Sequence, residues 1–280
     1  MSTRIAECWK RLQSRNDKAL IAFLMAGDPN LAATVKIVIA LAEAGADIVE
    51  LGIPFSEPIA DGPVIQRSGE RALRAGAYLP AILEVVREIR RESQVPLILF
   101  SYLNPVLRYG FERFAADAVS SGADGALITD LSVEEAGPYV EQMRRSGLDT
   151  VFLAAPTSTD ERLKRVASLS TGFVYAISRM GVTGAREQLS SSVAPLVQRL
   201  RRFTSLPIAA GFGISRPEHF AELAPIVDGV IVGSAFVHCL EQHPENPAPH
   251  VADFAKWLRQ GFAVERGSSG TGTAATHSER

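Results

Sequence analysis

Cysteine is nearly absent: Cys8 and Cys239 stand alone, with no C-x-x-C spacing and no adjacent histidine, so neither a disulfide framework nor a zinc site is indicated. Histidine is missing from the first three quarters of the chain. All five (His219, His238, His243, His250 and His277) come after position 218, leaving nothing to activate a serine or cysteine elsewhere and disfavouring triad chemistry. No apolar run approaches the ~18 residues of a membrane span, and the opening MSTRIAE lacks the apolar core of a secretory signal, so a cytoplasmic protein is expected. Nor is there an excess of charge of one sign. With 29 Lys+Arg against 31 Asp+Glu the net charge is −2, and the densest basic runs (Arg87, Arg90, Arg91 and Arg199, Arg201, Arg202) read as solvated helix faces, so nucleic acid is not an expected partner. Neither a glycine-lysine P-loop nor G-x-G-x-x-G occurs, and a nucleotide is not implied.

What is present is ample core material, 46% apolar residues in 280, organised in a repeating way. Short runs rich in Val, Ile and Leu recur at 20–25, 48–51, 97–102, 125–128, 150–153, 172–177, 207–210 and 229–232. Between them, segments 31–43, 81–91, 111–121, 133–146, 160–168, 193–203 and 218–223 space apolar residues by three and four, as amphipathic crossover helices do. Eight such repeats in this length predict an α/β fold, a single (β/α)8 TIM barrel, rather than an open sheet. An extra N-terminal helix over 7–13, with Cys8, Trp9 and Leu12 on one stripe, is expected to cap the barrel floor, and Phe254, Trp257 and Leu258 mark a final helix. The barrel domain is expected over 1–266. Residues 267–280, nine of them Gly, Ser or Thr, are expected to form a disordered tail.

In this fold the active site lies at the carboxyl ends of the strands. Glu50 interrupts an otherwise apolar strand there, where lost hydration raises a carboxyl pKa toward the range of neutral-pH acid–base work. A salt bridge inside the barrel mouth is an equally good reading of the same residue. Asp61 comes next, on a loop stiffened by Pro54, Pro58 and Pro63, and is consistent either with a second, ionised carboxylate or with an ordinary Asp-Gly turn. Glycines cluster after three successive strands, in GVTG (181–184), GFG (211–213) and Gly233 before Ser234. They predict a phosphate monoester site, since glycine lets backbone N–H groups approach an anion. Tyr102 and Tyr175 read as pocket walls, and Asp130 as the cap of a helix beginning near Val133.

The motif ELGIPFSEPIADGPVIQ (50–66), with GDP (27–29), YLNP (102–105), SRMGVTG (178–184) and GFGIS (211–215) in order, resembles the signature blocks of the tryptophan synthase α-subunit family over about residues 5 to 262. That resemblance implies a carbon–carbon lyase that cleaves indole-3-glycerol phosphate into indole and glyceraldehyde 3-phosphate, with no metal or organic cofactor in this subunit. Carried over by motif, Glu50 is the general acid/base and Asp61 the carboxylate that binds the indole N–H. Gly184, Gly213, Gly233 and Ser234 form the phosphate cradle, and Thr183 sits on a lid closing over Asp61. Phe23, Phe100, Leu127 and Phe212 are expected walls for a flat ring, with core packing an equal reading for Phe23 and Leu127. The resemblance also implies a pyridoxal-phosphate β subunit in an α2β2 complex, docked near the loops of strands two and six. Glu57 stands where the family commonly has Asp, and Ser132 where it has Pro; both departures bear on coupling to that partner.

Other readings are a phosphosugar isomerase, a non-catalytic activating subunit, and an indole-releasing lyase that works alone. The isomerase falls behind because strands one and five end without an acid, and Glu50 with Asp61 argues against the non-catalytic subunit.

Overall fold

Strand order in the computed structural model, which describes residues 3–177, 189–211 and 213–268, keeps chain order around a closed parallel barrel. The strands are β1 (Ala19–Met25), β2 (Ile48–Gly52), β3 (Leu97–Ser101), β4 (Gly125–Ile128), β5 (Asp149–Ala154), β6 (Val174–Ile177), β7 (Ile208–Gly211) and β8 (Gly229–Val232). Closure is made by β8 against β1, with Ala19 opposite Gly229 and Ala22 opposite Val232. The helices are α1 (Arg4–Ser14), α2 (Leu31–Glu43), α3 (Pro63–Arg74), α4 (Leu79–Glu92), α5 (Leu103–Tyr109), α6 (Phe111–Ser121), α7 (Gly137–Arg145), α8 (Asp160–Leu169), α9 (Leu189–Arg201), α10 (Pro217–Leu223), α11 (Ser234–Gln242) and α12 (Pro247–Ser268). The expected (β/α)8 barrel with an additional N-terminal helix is the fold observed.

Alternation along each strand divides the apolar residues between two cores. Ile21, Ile48, Ile98, Leu127, Val151, Phe173, Ala209 and Ile231 fill the barrel, while Leu20, Leu24, Val49, Leu51, Leu97 and Leu99 belong to the cluster shared with the helices. Helix α1 starts on Thr3, whose hydroxyl accepts the Ala6 N–H, and adds Ile5, Cys8, Trp9 and Leu12 to the barrel core. The Trp9 ring meets Phe173 edge-on at 5.8 Å. Its indole reaches so near the chain that a Cβ on Gly229 would stand 2.8 Å from it. Glycine at the start of β8 therefore lets α1 close the floor.

Four local expectations need correction. Residues 133–136 are not helical: Glu135 N–H closes a turn on Ser132 O at 3.1 Å, and α7 begins at Gly137 with a proline in its first turn, the place where a residue without an N–H is tolerated. Asp130 caps a different helix from the one expected, since its carboxylate accepts the Leu103 N–H at 2.6 Å at the start of α5. Helix α9 begins four residues before 193, at Leu189, where Glu222 of α10 accepts both the N–H and the hydroxyl of Ser190 at 2.8 Å. Helix α12 extends through Ser268, two residues into the expected tail; residues 269–280 lie outside those described. Among the described residues no helix is long and apolar enough to cross a membrane.

The outer layer is as tightly fitted as the floor. A Cβ on Gly261 of α12 would overlap the Pro217 carbonyl of α10 and approach Phe220 Cβ at 2.8 Å. Backbone cannot yield as a flexible side chain does, so Gly261→Ala is expected to destabilise the fold by about 2 kcal/mol. Chemical denaturation checks this, and an unchanged midpoint would mean that α10 and α12 part freely.

Candidate active site

Glu50 lies two residues beyond Ile48 on the inward face of β2, paired in register with Phe23 of β1 and Ile98 of β3. It is 1% exposed, and its Oε1 has no hydrogen-bond partner. Among the described residues no cation bridges Glu50 Oε1, so the salt-bridge alternative finds no support there. Burial alone pushes the Glu50 carboxyl up to about 8, so the group is held protonated at neutral pH. The Tyr175 hydroxyl, from β6 across the barrel, is raised well above its usual range, by burial first and then by the Glu50 charge. Tyr175 also explains Gly211: a Cβ there would collide with the phenol oxygen, so this glycine makes room for the ring.

The loop after β2 carries Asp61 and is folded by its own backbone. Ile59 N–H reaches Glu57 O at 2.9 Å and Asp61 N–H reaches Pro58 O at 3.1 Å. Gln66, in the first turn of α3, donates its amide to Asp61 O at 2.9 Å. From the neighbouring βα unit the Tyr102 hydroxyl accepts the Ala60 N–H at 2.9 Å and hydrogen-bonds the Asp61 carboxylate. The Tyr102 ring packs on Phe55 at 5.4 Å. Desolvation raises Asp61 to about 6 against the lowering pull of that hydroxyl. Asp61 is thus ionised at neutral pH while Glu50 is not, the division of labour expected of two acids in unlike surroundings. A wall is the expected role of Tyr102; its contacts make it the strut of the Asp61 loop.

Phe23 and Phe100 stack edge-on at 5.2 Å beside Glu50. Phe23 fills the space that two glycines leave: a Cβ on Gly52 would stand 2.8 Å from its ring, and one on Gly233 would touch it at 3.5 Å. Leu127 has no exposed surface and packs in the barrel core. Gly213, after β7, adopts φ +68°, a backbone region that favours glycine. Gly233 and Ser234 open α11, whose N-terminus has no side-chain cap and so presents free N–H groups, the feature that binds anions. Thr183, Gly184 and Phe212 lie outside the described residues. Among the described residues no cluster of His, Cys, Asp and Glu is arranged to hold a metal.

A model of the tryptophan synthase alpha chain family matches residues 9–264. The chain belongs to that family. A tryptophan synthase alpha chain from Solibacter usitatus is 58% identical over 264 residues, covering 94% of this chain and 99% of its own length. One from Geobacter sulfurreducens is 49% identical, covering 92% and 98%. Among solved structures, tryptophan synthase subunit alpha from Legionella pneumophila superposes with a TM-score of 0.87 at 34% identity, over 94% of this chain and all of the other. A chain of the tryptophan synthase a2b2 complex from Pyrococcus furiosus superposes at 0.82 with 42% identity, over 86% and 98%. The barrel sets Glu50 inside its mouth, buried on β2, and Asp61 on the loop that follows.

Sequence reasoning passed over Asp28, which is 2% exposed and held by Arg71 through two bonds of 2.7 and 2.8 Å as well as by the Ser68 hydroxyl. The GDP motif held the signal, but nothing in it names a partner on a helix 43 residues away.

Proposed function

We propose that this chain cleaves indole-3-glycerol phosphate to indole and glyceraldehyde 3-phosphate, with Glu50 moving both protons. The observation that carries the reading is a carboxyl buried inside the mouth with its Oε1 unpartnered. Protonated Glu50 gives its proton to indole C3, and the positive charge that develops at the ring N–H is met by ionised Asp61. The Glu50 carboxylate then takes the proton of the side-chain hydroxyl next to the bond. The C–C bond breaks, its electron pair restores the indole ring, the hydroxyl carbon becomes the aldehyde, and Glu50 ends protonated as it began. Phe23 and Phe100 offer faces for the ring. Gly213, Gly233, Ser234 and, by family resemblance, Gly184 cradle the phosphate, with Thr183 on the lid, Phe212 on the ring and Tyr175 beside Glu50. These steps draw on side chains alone and call on no cofactor in this chain.

The partner is a tryptophan synthase β subunit in an α2β2 complex, working in the cytoplasm. Ile59, 86% exposed, lies on the Asp61 loop, the one that the family resemblance turns toward the β subunit. The test is indole release from indole-3-glycerol phosphate by the chain alone and with a β chain. Absence of indole in both states would refute the reading.

Asp61 gives a second check through pH. Its raised pKa means that its charge, and the hold on the ring N–H, is present above about 6 and lost as pH falls below that value. Asp61→Asn is expected to weaken substrate affinity about tenfold at pH 7.5, the worth of one charge-assisted hydrogen bond, and to abolish the acid limb of the affinity profile. An acid limb that survives in the variant would assign it to another group.

A further inference from the structure

Arg71 sits on α3, the helix after β2, yet touches residues of the β1 and β8 units, the two that precede it around the closed barrel. Its Nε and Nη2 donate to Asp28, after β1, at 2.8 and 2.7 Å, and its Nη1 donates to Glu241 of α11, after β8, at 3.2 Å. Arg67, one turn earlier, holds the same Glu241 through bonds of 2.9 and 3.0 Å. Each end of this chain of contacts is tied to one end of the candidate site. Gln66 fastens α3 to the Asp61 backbone, and α11 begins at Ser234, the anion-binding end.

We propose that Arg71 is a positioning residue: the Asp28–Arg71–Glu241 brace fixes the separation between the ring-binding rim at Asp61 and the phosphate-binding start of α11. The brace rests on the lyase reading of the site, in which both ends hold one substrate. A planar guanidinium is needed for it, because three fixed donors serve two carboxylates on different elements at once; an ammonium offers a single point of charge. A ligand that spans both ends feels the separation between them. One that occupies a single end does not.

The experiment compares Arg71→Lys and Glu241→Gln with the parent chain. Binding is measured by calorimetry for three probes: inorganic phosphate, indole, and a non-cleavable analogue with indole joined to phosphate through a saturated three-carbon chain. Arg71→Lys is expected to weaken the analogue about tenfold and raise KM to match, with kcat within about threefold and both single-end probes within about twofold of the parent. Glu241→Gln, which leaves the Asp28–Arg71 pair in place but removes the carboxylate that Arg71 shares with Arg67, is expected to weaken the analogue about threefold. Unchanged analogue binding in both variants overturns the brace, as does parallel weakening of all three probes, which marks general damage. Should Arg71→Lys fail to fold, Glu241→Gln at the protein surface decides alone. Failure of the parent chain to bind the analogue overturns the lyase reading, and the brace with it.

Discussion

Glu50→Gln is expected to lower indole formation about a thousandfold while the chain still folds and still binds phosphate. The amide keeps the shape of the acid but can neither give a proton to carbon nor take one from a hydroxyl. General acid–base groups contribute typically ~10²- to 10⁴-fold, and a residue that acts in both steps belongs in the upper part of that range. Phosphate affinity is the internal control, because Gly213 and the start of α11 follow other strands, β7 and β8. Single-turnover indole release at saturating substrate reads the chemical step directly. Turnover within tenfold of the parent would remove Glu50 from the mechanism.

The same variant is expected to be the more stable protein at neutral pH. The Glu50 carboxyl titrates near 8 in the fold, against 4.5 when exposed, so between those values the folded chain binds a proton that the unfolded chain has released. Stability from this group is therefore fully present below about 4.5, declines as pH rises, and levels off above about 8. At pH 7 the loss already amounts to about 3 kcal/mol at 1.36 kcal/mol per pH unit. Glutamine carries no such penalty. Denaturation of parent and variant from pH 4 to pH 9 should give curves that diverge upward through this window, with the variant ahead at the alkaline end. A constant difference would place the Glu50 pKa near its ordinary value and undercut its part as the acid. A residue whose removal ends activity and strengthens the fold is one held in place for chemistry.

How much of this was legible in the sequence depended on whether the signal was local. The eight apolar runs mark the strands because a strand buried on both faces must be apolar throughout, and Glu50 stood out as the one acid inside such a run. Helix α3 escaped notice because its buried face consists of Ser68, Gly69 and Ala72, too small and polar to register as an apolar stripe. Helix α5 has only seven residues and contains Pro105. The state of Glu50, buried with its Oε1 unpartnered among the described residues, depends on what the other strands do not send toward it. Tyr102 as strut and Arg71 as brace rest on contacts 42 and 170 residues apart in the chain. Spacing patterns carry no information at that range, because the barrel's closure decides which distant residues meet.

The wedge of Phe23 beside Gly52 has a consequence for how this mouth can change over time. A methyl group at position 52 would press on the phenyl ring at position 23 (2.8 Å) and on the Met25 sulfur (3.1 Å), so these sites cannot drift independently. On the proposed reading of the site, enlarging the space for bulkier indoles begins at Phe23, and the volume released there is lost again to any side chain that replaces the glycine.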